Sequence, residues 1–130
     1  MSASPDAEVI SEDLRRFILT SILSVPFVEA MLIFRDAGES PVTIELLAQR
    51  LYLSERQAAE ILEQLRTARI VEPIPGGAGH RYSPAPALAS MLDGVAAAYR
   101  TNLVEVTALI HSRTGRMAHQ FADAFKLRKD

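Results

Sequence analysis

Residues 43–83 decide the fold, and they read TIELLAQRLYLSERQAAEILEQLRTARIVEPIPGGAGHRYS. Leucine, isoleucine and alanine recur at helical spacing over residues 44–51 and again over residues 55–68, which predicts two short helices. Short runs typical of strands follow over residues 70–74 and 80–83, with a glycine-rich connection between them. The stretch therefore predicts two helices at a tight turn and then a β-hairpin.

Polar residues mark where the two helices begin. Thr43 belongs to the residue types that cap helix N-termini. Ser54, with Gln57 three positions later, has the spacing of a capping box. Pro41 and Val42 precede the first helix and form a segment too short for more than a single β-bridge.

Helical periodicity continues on both sides of this stretch. On the N-terminal side, Ser11 and Ser24 are expected to cap two helices, and Gly38 is expected to end the second in the left-handed conformation. On the C-terminal side, apolar stripes predict one helix from about residue 86 to residue 100 and a shorter one from residue 103. A last, basic helix is expected to include Phe121 and Phe125.

A length of 130 residues predicts one domain. We expect residues 1–130 to divide into an N-terminal helix (1–23), a core (24–84) and C-terminal helices (85–130). The fold class predicted is mainly α with a small two-stranded β-hairpin.

Composition excludes several classes of protein. The chain has no cysteine, so a disulfide scaffold, a thiolate zinc site and a thiol nucleophile are excluded. The three histidines lack metal-ligand spacing and no Gly-x-Ser-x-Gly motif occurs, so we expect no metal, no cofactor and no enzymatic activity. The net charge of −2 gives no global positive field that would attract nucleic acid.

No targeting or membrane segment is expected. The longest apolar stretch, residues 17–34, is interrupted by polar residues, whereas a membrane span needs about 20 predominantly apolar ones. The first fifteen residues are acidic, where a signal peptide would begin with positive charge. The sequence therefore predicts a cytoplasmic protein.

Residues 41–84 resemble the winged helix-turn-helix domains of bacterial transcriptional regulators, in the broad MarR-like and TrmB-like group of short proteins. The resemblance lies in the string from Thr43 to Ser54 and in the positions that follow it, Ala58, Leu62, Leu65, Ala68, Ile70, Val71 and Glu72. It implies a winged helix-turn-helix with N- and C-terminal helical extensions. In such a domain residues 55–68 are the recognition helix and residues 70–83 the wing. Arg69 stands where relatives often carry the glycine that ends the recognition helix.

The resemblance implies a DNA-binding transcriptional regulator and assigns contacts with double-stranded DNA to the outward face of the recognition helix and to the wing. Arg56 pairs with guanine and Gln57 with adenine in the usual geometries of the major groove, whereas Glu60 can accept from cytosine. The full set predicted to contact DNA is Ser54, Arg56, Gln57, Glu60, Gln64, His80 and Arg81.

An alternative hypothesis keeps the fold without DNA binding. Glu60 and Glu63 place negative charge where relatives often carry Arg, Lys or Ser, and winged helices also serve as protein-docking modules. The alternative is a protein-protein interaction module that uses this acidic face and the basic C-terminal tail. The two hypotheses differ in the sign of charge on the binding surface.

The apolar stripes outside the core predict self-association. They carry more apolar surface than a small winged domain is expected to cover. Tyr99, Val106 and Ile110 are therefore predicted to lie at a homodimer interface. A small-molecule effector is compatible with this interpretation, but the sequence does not identify one.

Overall fold

The computed structural model describes residues 10–112 and is mainly helical, with one small antiparallel sheet of two strands. The elements, in chain order, are α1 (Glu12–Ser21), α2 (Val25–Ala37), α3 (Ile44–Leu51), α4 (Glu55–Thr67), β1 (Val71–Pro73), β2 (His80–Tyr82), α5 (Pro86–Thr101) and α6 (Leu103–Ser112). The predicted helical class with a β-hairpin is confirmed. The basic helix predicted around Phe121 and Phe125 lies outside the described residues.

The described chain forms two compact units, where its length predicts a single domain. Residues 10–24 and 94–112 make one unit, and Val25–Asp93 makes the other. The second unit extends past the predicted end of the core at residue 84 because the first half of α5 belongs to it. Leu92 is fully buried, and Asp93 accepts from Arg35 of α2 at an Nε–Oδ1 distance of 2.9 Å.

The unit Val25–Asp93 is built around three helices. α2, α3 and α4 contact one another, α4 also contacts β1, and α2 contacts β2. Most helical positions that the spacing predicts to face inward are buried, although Leu51 is only partly so, and burial of this apolar surface stabilises the arrangement. The buried side chains are Phe27, Val28, Ala30, Met31, Phe34, Val42, Leu47, Ala48, Ala58, Ile61, Leu62, Leu65, Ile70, Val71 and Leu92.

The hairpin is fastened to the segment that precedes α3. β1 and β2 pair in the register Val71↔Tyr82, Glu72↔Arg81 and Pro73↔His80. Beyond this pairing, the Val42 N–H donates to the His80 carbonyl at 2.9 Å and the His80 N–H donates to the Val42 carbonyl at 3.0 Å. The single bridge expected at Val42 is therefore confirmed, and it holds the hairpin beside the start of α3.

Three helices end at a residue in the left-handed conformation. α2 ends before Gly38 (φ 63°), as predicted, whereas α3 and α4 end before Tyr52 (φ 58°) and Arg69 (φ 65°). The N–H groups of Tyr52 and Arg69 donate to the third carbonyl before them, and the N–H of the next residue donates to the fifth before itself. These are Schellman motifs, in which a non-glycine residue carries a penalty of roughly 1 kcal/mol.

Replacing Arg69 with glycine is expected to raise the free energy of unfolding by roughly 1 kcal/mol, because glycine adopts φ 65° without that penalty. Ala68→Gly is the matched control: Ala68 is helical at φ −77°, so glycine there should cost about 0.5–1 kcal/mol. Urea denaturation of both variants measures the two shifts. Destabilisation by Arg69→Gly would mean that the Arg69 side chain makes a contact worth more than the backbone penalty.

The unit of residues 10–24 and 94–112 is helical. Ser11 caps α1 as predicted, since its Oγ accepts from the Leu14 N–H at 3.1 Å. Arg15 donates to Glu105 of α6 across 2.8 Å. The buried apolar residues of this unit are Ile10, Ile18, Ile22, Val95, Ala96, Ala98, Val106 and Ile110.

The length and composition of the described helices bear on whether any of them could span a membrane. Among residues 10–112 no single helix has both the length and the apolar composition needed to cross a bilayer. The helices Glu12–Ser21 and Val25–Ala37 meet the two criteria only when their lengths and compositions are taken together.

Candidate nucleic-acid interface

The start of α4 is fixed by a reciprocal cap. The Ser54 Oγ accepts from the Gln57 N–H, and the Gln57 Oε1 accepts from the Ser54 N–H, each at 3.1 Å. The Ser54 hydroxyl also donates to the Gln57 Oε1 at 3.2 Å. The capping box is thus confirmed, and it occupies the oxygen atoms of two side chains that the sequence assigns to DNA. The Gln57 side-chain NH2 group makes no hydrogen bond within Val25–Asp93.

The outward face of α4 lies where the sequence predicts it. Ala58, Ile61, Leu62 and Leu65 are buried, and the exposed residues of the helix are Glu55, Arg56, Gln57, Glu60, Glu63, Gln64, Arg66 and Thr67. Arg56, Glu60 and Gln64 therefore share a surface that a partner molecule can reach. Within Val25–Asp93, Arg56 and Glu60 form no ion pair.

Glu63 and Arg66, near the end of α4, form an ion pair with each other. Arg66 donates to Glu63 with an Nε–Oε1 distance of 3.1 Å. This hydrogen bond lowers the pKa of Glu63 and raises the pKa of Arg66. Because each group is occupied by the other, neither adds net charge to the face.

The hairpin offers less positive charge than its sequence suggests. Arg81 lies opposite Glu72 in the strand register and donates to it from Nε at 2.8 Å. His80 is partly buried, and this burial lowers its pKa; the charge of Arg66 lowers it further, while Glu63 partly offsets both. The lowered pKa favours the neutral form of the His80 imidazole. The structure brings His80 and Arg81 beside each other in β2 but leaves neither as a free cation.

The predicted dimer contacts need correction for two of three residues. Val106 and Ile110 are fully buried within a single chain, so they do not present surface to a second copy. Their helical spacing identified an inward face, which the chain itself covers. Tyr99 is half-buried. The large apolar residues exposed on α6 are Leu103 and Val104, so an apolar contact surface on this helix would have to use them.

Two kinds of exposed residue were missed by the sequence reasoning. Arg50 at the end of α3 and Arg69 after α4 are exposed and have no ion-pair partner within Val25–Asp93. Tyr52, in the turn between α3 and α4, has 93% of its surface exposed. The sequence predicts a tight turn at Tyr52, and a residue in such a turn is usually exposed, so the exposure of this ring could have been predicted.

Small-ligand and metal sites are poorly developed in the part of the chain that is described. Residues 10–112 contain no group of three or more His, Asp or Glu side chains placed to hold a metal ion. An open groove of about 370 Å³ lies beside the end of α4 and is lined by Arg66, Arg69, Val71, Glu72, Pro73 and Ser83. Arg66 and Glu72 belong to the ion pairs already described, so Arg69 is the one unbalanced charge among these lining residues.

Comparison of the chain with protein-family models, with curated proteins and with solved structures finds no match.

Proposed function

We propose that residues 25–93 form a winged helix-turn-helix domain that binds double-stranded DNA as part of a transcriptional regulator. In this proposal α3 and α4 are the helix-turn-helix, α4 is the recognition helix, and the β1–β2 hairpin is the wing. The order of elements and their mutual contacts support it. An α-helix fits the width of the major groove, which is the usual site of such a helix.

The observation that carries the proposal is the exposed face of α4 and its fixed starting point. The helix begins at a capping box directly after a tight turn, and Arg56 in its first turn is exposed with no acid bound to it. A guanidinium held on a rigid helix can approach a guanine edge in bidentate geometry. The cap matters because it fixes the backbone position of Arg56, and a hydrogen bond to a base edge requires a well-defined side-chain position.

The charges of the domain predict that electrostatic attraction to phosphates contributes little to DNA binding. Of the five arginines in residues 41–84, Arg66 and Arg81 are bound to glutamates, which leaves Arg50, Arg56 and Arg69 for phosphates. Three neutralised phosphates per chain correspond to a slope of log K against log salt of about −3. A strongly basic repressor can reach a slope of about −10.

Fluorescence anisotropy with labelled duplexes tests the proposal. One duplex comes from the region upstream of the protein's own gene and the other has mixed sequence, and each is titrated over a range of salt concentrations. We expect binding at low salt with a slope of about −3 per bound chain. Arg16→Ala, an exposed arginine on α1, is the matched control and should leave the slope unchanged. No binding at low salt would reject the proposal.

A second candidate function is a winged helix that docks an acidic face against a protein. Glu55 and Glu60 are exposed on α4 without a cation bound to them in Val25–Asp93, and they repel phosphates. Under this hypothesis the anisotropy titration shows no binding to either duplex, whatever the salt concentration. DNA binding by the wild-type chain would favour the first candidate.

A further inference from the structure

Among the aromatic side chains of Val25–Asp93, Tyr52 is the one left almost fully exposed. Its surface is 93% exposed, whereas Phe27 and Phe34 in the same unit are fully buried and Tyr82 is half-buried. The Tyr52 side chain makes no hydrogen bond within Val25–Asp93. Packing within this unit therefore does not explain why a tyrosine occupies the position.

The backbone conformation at Tyr52 is one that tyrosine rarely adopts. The residue is left-handed, at φ 58° and ψ 42°, and the hydrogen bonds from Tyr52 and Leu53 to the end of α3 fix it there. Glycine occupies the corresponding position at the end of α2, as Gly38. A strained residue whose side chain contributes no packing is a reason to look for a function of that side chain.

The surroundings of Tyr52 suit a phosphate group. Tyr52 lies two residues before the N-cap of α4, at the helix end that carries the positive pole of the helix dipole. Arg50 and Arg56 precede and follow it in the chain, and both are exposed without an acid bound to them in the unit. Within four residues of Tyr52 in the chain, these two arginines stand against one exposed acid, Glu55, so the sequence around the turn carries net positive charge.

We propose that the Tyr52 hydroxyl donates a hydrogen bond to a backbone phosphate of DNA and thereby positions α4 in the major groove. This inference rests on the proposed function and adds a positioning residue to it. A phosphate contact fixes the register of a protein on the duplex without reading sequence. Loss of the hydroxyl should therefore weaken binding to every duplex by a similar factor.

The test compares two substitutions that each remove one phenol oxygen. Tyr52→Phe keeps the ring and the backbone and is expected to weaken DNA binding roughly tenfold, the usual scale for a hydrogen bond to a charged group. The loss should be equal on the upstream and mixed-sequence duplexes. Tyr82→Phe is the matched control: it removes a buried hydroxyl that has no hydrogen-bond partner among the described residues, and affinity should not change. Urea denaturation of both variants shows that they remain folded.

A third variant separates function from stability. Tyr52→Asn places a residue that tolerates the left-handed conformation, so the urea midpoint should rise while DNA affinity falls at least as far as in Tyr52→Phe. Opposite signs in the two measurements support the inference. If the wild-type chain binds DNA and Tyr52→Phe binds equally well, this inference fails alone. If the wild-type chain binds no DNA, the proposed function fails with it.

Discussion

Replacing Gly79 with alanine is expected to lower the free energy of unfolding by roughly 3 kcal/mol, since two penalties act together. Gly79 has φ +105°, a conformation that side chains rarely adopt. A Cβ atom there would also lie 2.9 Å from the Val42 carbonyl oxygen, which is backbone and is held by its bond to His80. The variant must therefore distort the hairpin or give up the bridge to Val42.

Gly76→Ala is the matched control for this experiment. Gly76 is also left-handed, at φ +67°, but nothing lies within 4 Å of the Cβ that alanine would add. Its cost should therefore be the conformational penalty alone, about 1 kcal/mol. Urea denaturation of both variants gives the difference. Equal losses would show that the hairpin moves away from Val42 at little cost.

Arg56→Ala should weaken DNA binding by roughly 1–3 kcal/mol and relax the preference for one base pair. Arg56 is the free cation in the first turn of α4, so no other side chain on that turn replaces it. The measurement is anisotropy on a duplex carrying the preferred site and on single-base variants of it. Arg16→Ala serves again as the charge-matched control on a different unit.

Glu60→Gln on the same face should act in the opposite direction. It removes a negative charge near phosphates, so binding to mixed-sequence DNA should become stronger. If Glu60 instead accepts from a cytosine, specificity should fall. DNA affinity unchanged in both Arg56→Ala and Glu60→Gln would contradict the placement of α4 in the groove and would favour the protein-docking function.

The secondary structure could be predicted because its determinants are local. Ser11, Thr43 and Ser54 each accept from a backbone N–H three residues later, and this geometry depends on residue type and spacing alone. The hairpin follows from two short β-type runs around a glycine-rich connection. Even the bridge at Val42 was predictable, since the segment before α3 is too short for a strand.

Other features depend on tertiary contacts that spacing does not specify. The stripe containing Val106 and Ile110 has an inward face, but its spacing is the same whether a second copy or the chain itself covers that face. The Arg81–Glu72 pair depends on strand register, and the charge left for a ligand depends on such pairs. Arginine rarely adopts the left-handed conformation, so the residue type of Arg69 gave no sign that the backbone is left-handed there. The sequence showed only that the glycine expected at this helix end is absent.

The bridge between Val42 and His80 has a consequence for how this unit opens. It closes a loop that contains α3, α4 and β1, so the hairpin cannot detach without freeing the segment from which α3 starts. Detachment of the hairpin and fraying of α3 should then occur as one cooperative event. The amide protons of Val42 and His80 would then show the same protection factor against exchange with solvent, and that factor would measure the free energy at which the whole loop opens.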